Sequence, residues 1–264
     1  MSNRLWRGGI NLWRRPVAFA ARHLMGTITH VESAEPVAAL TFDDGPHPTY
    51  TPRLLDVLGR FQARATFFMV GEAAHAYAAL VEQVAHRGHA IGNHSWDHRS
   101  FPLISRRQRR EQVRACAKAL APHGRRLFRP PYGEQSWASR FDLWWLGYQV
   151  VAWNLDVGDW WNPDARTMAE AVAKRIRPGS VVVFHDAIFD GGKPTWGPGL
   201  PREALVDRGP MLAAVTALLE RLTPEFRFVT IPELLQSGRP RRQDWYKVTP
   251  GGATASSNLA EARP

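Results

Sequence analysis

One cysteine, Cys116, stands in the 264 residues, which excludes a disulfide framework within the chain and any cluster of thiolate metal ligands. Val113, Ala117 and Leu120 surround it at helical spacing, so it reads as a small buried hydrophobe. Acids are scarce as well: 24 against 34 Lys and Arg, a formal charge of +10. Residues 1–36 carry five Arg against two Glu, and residues 237–264 carry five Lys or Arg against two acids, so the two tails hold +6 and the body only +4. A body so weakly charged gives no basis for a nucleic-acid groove, and no nucleic-acid partner is expected. Arg106, Arg107, Arg109, Arg110 and Arg114 crowd one predicted helix and read as a solvated face. Long apolar runs are also missing. Nothing reaches a membrane-spanning length, and the run Pro16 to Ala21 meets Arg22 before completing the roughly 7–15 residues of a secretory core. The expected location is therefore cytoplasmic. Trp6, Ile10, Trp13, Val17, Ala20 and Leu24 nevertheless recur at spacings of three or four among Arg4, Arg7, Arg14, Arg15 and Arg22. That is the pattern of a basic amphipathic segment, weakened by Gly8, Gly9 and Pro16. It predicts peripheral contact of residues 1–24 with the inner face of the cytoplasmic membrane.

What is present is the alternation of an α/β domain. Hydrophobic residues make up 44% of the chain, enough to bury one full core. Strand-like runs occur at Val37 to Phe42, Ala65 to Val70, Ala90 to Ile91, Leu127 to Phe128, Gln149 to Trp153, Ser180 to Phe184 and Phe226 to Ile231. Helical patterns fill the gaps: Tyr50 to Phe61, Glu72 to Arg87, Ser105 to Ala121, Ser136 to Leu146, Pro163 to Ile176 and Pro210 to Leu222. The order predicts a mostly parallel sheet closing toward a barrel over residues 37–236, after a basic extension (1–36) and before a disordered basic tail (237–264). Residues 188–208 are rich in Gly and Pro, and a loop of that length predicts a substrate-facing lid.

Polar residues gather just after the predicted strands, where α/β folds place their sites. Thr41-Phe42-Asp43-Asp44-Gly45-Pro46 ends the first strand with two carboxylates, which strand alternation would send to opposite faces. His94 and His98, in Gly92-Asn93-His94-Ser95-Trp96-Asp97-His98, are spaced to share one face of a helical turn. With one carboxylate they make a three-ligand set that leaves a coordination position for water. Zn²⁺ is then the first expectation and Co²⁺ or another first-row divalent ion the second. Arg129-Pro130-Pro131-Tyr132-Gly133, Asp156-Val157-Gly158-Asp159-Trp160-Trp161 and His185-Asp186 follow three further strands, and a His in such a place is suited to acid or base work. Among the eleven Trp, Trp160, Trp161 and Trp196 stand in loop context and are candidates for a ligand-facing surface, whereas Trp144 and Trp145 in a helix are expected to pack inward.

Taken in order, T-F-D-D-G-P, H-S-W-D-H, R-P-P-Y, D-V-G-D-W and V-x-H-D resemble the motifs of the polysaccharide deacetylases with a NodB-homology domain, carbohydrate esterase family 4. The resemblance covers about Val37 to Gln236 and implies a distorted (β/α)7-type barrel. It implies a metal-dependent hydrolase that removes N-acetyl groups from an N-acetylated glycan. Asp43 would be the general base, and Asp44, His94 and His98 the metal ligands. Arg129 would hold Asp43, and His185 would be the general acid with Asp156 orienting it. Tyr132 would give a backbone N–H to the oxyanion, with its ring and Pro131 in the groove wall. Trp160 would line the groove, and Val183 would replace the more frequent Leu of an acetyl-methyl pocket. Ser95 would stabilise its loop. The same first shell serves an O-deacetylase, and a catalytically silent glycan-binding domain is the third alternative.

Overall fold

The computed structural model describes residues 24–162, 164–189 and 207–244. Its strands are β1 (Thr27–Ser33), β2 (Val37–Asp43), β3 (Ala65–Met69), β4 (Ala90–Asn93), β5 (Gly124–Phe128), β6 (Gln149–Val150), β7 (Leu155–Asp156), β8 (Val181–His185), β9 (Arg227–Phe228) and β10 (Gly238–Gln243). Eight of them form a parallel sheet in the order β6-β5-β4-β3-β2-β8-β7, with β9 beside the start of β2. The expected parallel α/β sheet is present, and it curls into an open barrel. No ladder joins β6 to β7. The seam is covered instead by β1, through one parallel bridge between Ile28 and Val151.

Burial on both faces explains why β2 reads as a continuous apolar run. Ala38, Leu40 and Phe42 enter the larger core with the helices Tyr50–Arg60, Ala165–Arg175 and Gly209–Leu222. Val37 and Ala39 enter an inner cluster with Phe68, Leu127, Val151 and Val181. Ile28 and Val31 of β1 and Ile231 and Leu234 of the short helix Ile231–Leu234 join that inner cluster. Thr41 and Asp43 continue the inner face upward, so polar groups occupy the end of the barrel where the strands finish.

Helix starts follow side-chain caps. Ser105 and Ser136 each accept the backbone N–H three residues on, and Asp164 accepts those of Arg166 and Thr167. The stretch expected as one helix from Glu72 to Arg87 is two, Gly71–Ala76 and Ala78–His86, separated at non-helical Tyr77. The arginine-rich helix Arg106–Ala119 is not a purely solvated face. Arg109 is buried, and together with Arg106 and Arg110 it converges on buried Asp142, at 2.8, 2.7 and 3.5 Å.

The two tails need correction. β1 lies inside the expected extension and β10 inside the expected disordered tail, and they pair antiparallel from Thr27–Gln243 to Ser33–Gly238. β10 escaped notice because its Gly-Arg-Pro-Arg-Arg-Gln is exposed or half-exposed throughout, so backbone pairing holds it without an apolar signature. Residues 1–23 and 245–264 lie outside the described residues.

Gly179 marks where β1 is seated. It has φ +83°, exchanges hydrogen bonds with Val31 (2.9 Å) and Val37 (2.7 Å), and a Cβ there would stand 1.7 Å from the Val31 carbonyl oxygen. Gly179→Ala should therefore cost at least about 1–3 kcal/mol in a urea unfolding titration. An unchanged midpoint would show that β1 does not cross there.

Candidate active site

Five non-glycine residues among those described have positive φ: Asp44, Gln62, Ser95, His98 and Tyr132. All but Gln62 meet at the strand ends of the barrel. Each such conformation costs on the order of 1–3 kcal/mol and persists only where the surroundings impose it. At Asp44 (φ +74°) the turn breaks strand alternation. Asp43 and Asp44 therefore serve one site, not the opposite faces that an extended strand would give.

The imidazoles converge for the same reason. His94 and His98 follow β4 in an irregular loop, not on the expected helical turn, and left-handed Ser95 and His98 redirect the chain between them. Ser95 Oγ accepts the His98 N–H at 3.1 Å, as a loop stabiliser should, and Asn93 Oδ1 accepts the Ser95 N–H at 2.9 Å. Gln112 Oε1 accepts the Trp96 and Asp97 N–H groups at 2.9 and 3.1 Å, tying this loop to the arginine-rich helix.

Asp44 Oδ1 lies 3.3 Å from His94 Nε2 and 3.2 Å from His98 Nε2, all three residues being buried. His94 Nδ1 stands 2.7 Å from the Arg129 carbonyl, which can only accept, so Nδ1 carries the hydrogen and Nε2 is the nitrogen turned to the carboxylate. Phe189 N–H donates to Asp44 Oδ2 at 3.0 Å, while buried Oδ1 accepts no hydrogen bond. Two imidazole nitrogens and a carboxylate oxygen, all within 4.8 Å of one another in a buried space, suit a divalent metal. Burial pushes Asp44 toward its neutral form, but His98, His94 and His185 outweigh it and hold the carboxyl below the usual carboxylate range.

Arg129 is fully buried at the end of β5. Its Nη1 donates to Asp43 Oδ1 and Thr41 Oγ1, each at 2.7 Å, its Nη2 to the Ala152 carbonyl at 2.8 Å and its Nε to the Val151 carbonyl at 3.2 Å. Phe68 and Trp153 stack on the guanidinium at 4.1 and 5.4 Å from their ring centres. This leaves Asp43 fixed at the end of β2, in register with His185 at the end of the adjacent β8.

The partner of His185 differs from expectation. Asp159 Oδ1 receives His185 Nδ1 at 2.8 Å, and Asp159 Oδ2 receives the His185 backbone N–H at 2.8 Å. Asp156 instead accepts the Gly158 N–H at 2.8 Å and closes the turn. Gly158, with φ +64°, swings the chain so that the second Asp of Asp156-Val157-Gly158-Asp159 reaches the imidazole. Arg208 completes the arrangement: its Nη2 donates to Asp159 Oδ2, its Nη1 to the Asp159 carbonyl at 3.0 Å and its Nε to the His185 carbonyl at 2.9 Å. Burial disfavours the His185 imidazolium, but Asp159, followed by Asp44 and Asp43, lifts it to about 9. Asp186 was also missed. It is buried, accepts the Thr51 hydroxyl, and is pushed up to about 7 by burial, with Asp44 and Asp43 adding to the effect. Arg208 carries no motif in the sequence, whereas Asp159 and Asp186 stood in quoted motifs without a role.

The remaining expected contacts divide. Tyr132, in the turn Pro131–Gly133, sets its ring 4.4 Å from that of His98. Pro131 is buried and shapes the wall through that turn, without presenting its own ring. Trp160 is half-buried, its ring centre 6.4 Å from that of exposed Trp161, which covers Gly158. Val183 is fully buried two residues before His185 on the same strand, level with Thr41 and Asp156. Trp144 and Trp145 are 41% and 65% exposed, contrary to the expected inward packing. Trp196 and the centre of the expected lid, 190–206, lie outside the described residues, although Phe189 and Arg208 on either side both bind site carboxylates.

Comparison with known proteins gives a concordant result. The family model for polysaccharide deacetylase matches residues 30–151. A peptidoglycan-N-acetylglucosamine deacetylase of Bacillus cereus is 36% identical over 78% of this chain and 91% of its own length. A chitooligosaccharide deacetylase of Azorhizobium caulinodans is 33% identical over 62% of this chain and 80% of its own. A crystal structure of a peptidoglycan N-acetylglucosamine deacetylase superposes with a TM-score of 0.68 at 28% identity, covering 81% of this chain and 94% of the other.

Two measurements test the geometry. Calorimetric titration with Zn²⁺ or Co²⁺ should show one site per chain, and Asp44→Ala or His94→Ala should weaken it by at least about tenfold; unchanged affinity would remove these residues from the ligand set. Asp159→Asn removes the anion in contact with His185, which remains when a cation neutralises Asp44. The proton on His185 is then lost at lower pH, so the alkaline limb of kcat should move downward. The same substitution at Asp156 should move it less, and the reverse ranking would restore Asp156 as the partner.

Proposed function

The chain belongs to the polysaccharide deacetylase family, and on that premise we propose that it hydrolyses the N-acetyl groups of N-acetylglucosamine units in an oligo- or polysaccharide. The observation that carries this proposal is the register of β2 and β8, which sets Asp43 beside His185 at the same strand ends that gather Asp44, His94 and His98. Relatives acting on peptidoglycan and on chitooligosaccharide share the N-acetylated glucosamine implied by their names, which supports that unit as the common substrate.

Amide hydrolysis requires a deprotonated water, stabilisation of an oxyanion and a proton for a poor leaving amine. Asp44, His94 and His98 would hold the divalent metal, Zn²⁺ by donor type, which when bound lowers the pKa of water and polarises a carbonyl. Asp43 accepts the proton of the attacking water. Its Oδ1 is held by Arg129, so the carboxylate meets the water in a fixed orientation. His185 has Nδ1 committed to Asp159, which leaves Nε2 as the atom that delivers a proton to the departing nitrogen. With its pKa raised to about 9, the imidazole carries that proton throughout the neutral range. The Tyr132 backbone N–H would donate to the oxyanion, worth about 3–4 kcal/mol for one well-placed donor. The half-buried Trp160 would offer a face to the sugar ring. No covalent intermediate with the protein is needed.

Acetate release should be measured on chitooligosaccharides, on peptidoglycan fragments and on an O-acetylated saccharide. N-acetylated substrates should be turned over, and Asp43→Asn should lower kcat by about 10²–10⁴-fold with little change in KM. Undiminished turnover by Asp43→Asn would remove it as the base. Release from the O-acetylated saccharide alone would make the chain an O-deacetylase.

A further inference from the structure

The helix Trp137–Trp145 is inside-out. Its solvent side presents Trp137, Phe141, Trp144 and Trp145, each 38–65% exposed, while Ser139, Arg140, Asp142 and Leu143 are buried beneath. Positions 137, 141, 144 and 145 lie on one helical face. Phe141 sits 5.8 Å from Trp144 and 6.3 Å from Trp145, and Leu103, 71% exposed, belongs to the turn Phe101–Leu103 that packs on this helix. Three indoles, a phenyl and a leucine turned to water form a patch that a monomer does not keep without a use.

Charge selects the occupant. Arg106 lies over the Phe141 ring at 5.6 Å, and Arg106, Arg109 and Arg110 share the single carboxylate of Asp142, which leaves two positive charges in excess beside the aromatic face. Both ends of the described chain also meet this helix: Thr27 Oγ1 donates to Gln135 just before it, at 2.7 Å, and Asp244 pairs with Arg140 within it, at 3.0 Å. The sequence preceding Leu24 holds Trp6, Trp13 and five arginines, and Trp245, Tyr246 and Lys247 follow Asp244. These flanking sequences share the aromatic and basic composition of the face. Both favour the same anionic partner.

We propose that Trp137–Trp145 is a docking face for an anionic phospholipid bilayer, with the indoles at headgroup level and the arginines on lipid phosphates. The test uses the full chain and vesicles of phosphatidylcholine alone or mixed with phosphatidylglycerol, read by flotation. The wild type should bind the mixed vesicles, and Trp144→Ser with Trp145→Ser should weaken binding by about tenfold or more. Thermal unfolding and turnover of a soluble chitooligosaccharide should not change. If the double variant melts earlier, Trp145→Ser alone, at the most exposed indole, carries the same expectation at smaller size. Undiminished vesicle binding by these variants would overturn the proposal, as would equal binding to neutral vesicles. So would a wild-type dimer that the substitutions dissociate, or lost retention on an insoluble glycan without any vesicle binding.

Discussion

The buried guanidinium of Arg129 is the contact on which the barrel and the site both depend. The sheet has no ladder between β6 and β7, and the carbonyls of Val151 and Ala152 enter that seam. Arg129 satisfies both while crossing the interior to Thr41 and Asp43 on β2. Desolvating an arginine is costly, and here four donated hydrogen bonds and two aromatic faces offset the cost. One residue thereby supplies the hydrogen bonds absent from an incomplete barrel and fixes the carboxylate that the chemistry needs.

Around that contact the fold accommodates a crowd of acids. Asp43, Asp44, Asp156, Asp159 and Asp186 feel one another electrostatically, and a low-dielectric site cannot hold five bare negative charges. Each is handled differently. Asp43 faces Arg129, Asp159 is gripped between Arg208 and His185, and Asp156 accepts a turn N–H. Asp186, raised to about 7 mainly by burial, takes up a proton far more readily than an ordinary carboxyl. Asp44, between the Nε2 atoms of His94 and His98, has the surroundings that suit a metal ligand. The division of roles among similar side chains follows from their neighbours.

Much of this was legible in the sequence, for identifiable reasons. β2, β3 and β8 are buried on both faces, so they appear as apolar runs ending at polar residues, and the cluster of Asp44, His94 and His98 and the Asp43–Arg129 pair follow from their motifs. β10 was hidden because backbone pairing holds it with its side chains outward, and β1 because a bulge between Ile28 and His30 sets its core residues Ile28 and Val31 three apart, off the strand period of two. Asp156 and Asp159 straddle Gly158, and only the left-handed turn there decides which one reaches His185. His94 and His98 were rightly paired by spacing, but left-handed backbone, not a helix, brings them together. Arg208 lies past residues 190–206, where no local pattern links it to Asp159.

The pairing of β1 with β10 also governs how the molecule answers mechanical load. Thr27 and Gln243 sit together at one end of that antiparallel ladder, Ser33 and Gly238 at the other. Tension applied through the two flanking segments therefore falls on one rung at a time, as in a zipper, and not on all rungs in shear. Beyond those rungs β1 is also held by the core, through Ile28, Val31 and the contacts to Val151 and Gly179, whereas β10 has the ladder and exposed side chains. Under load β10 is thus the first element to give way, and β1 the one that keeps the seam closed.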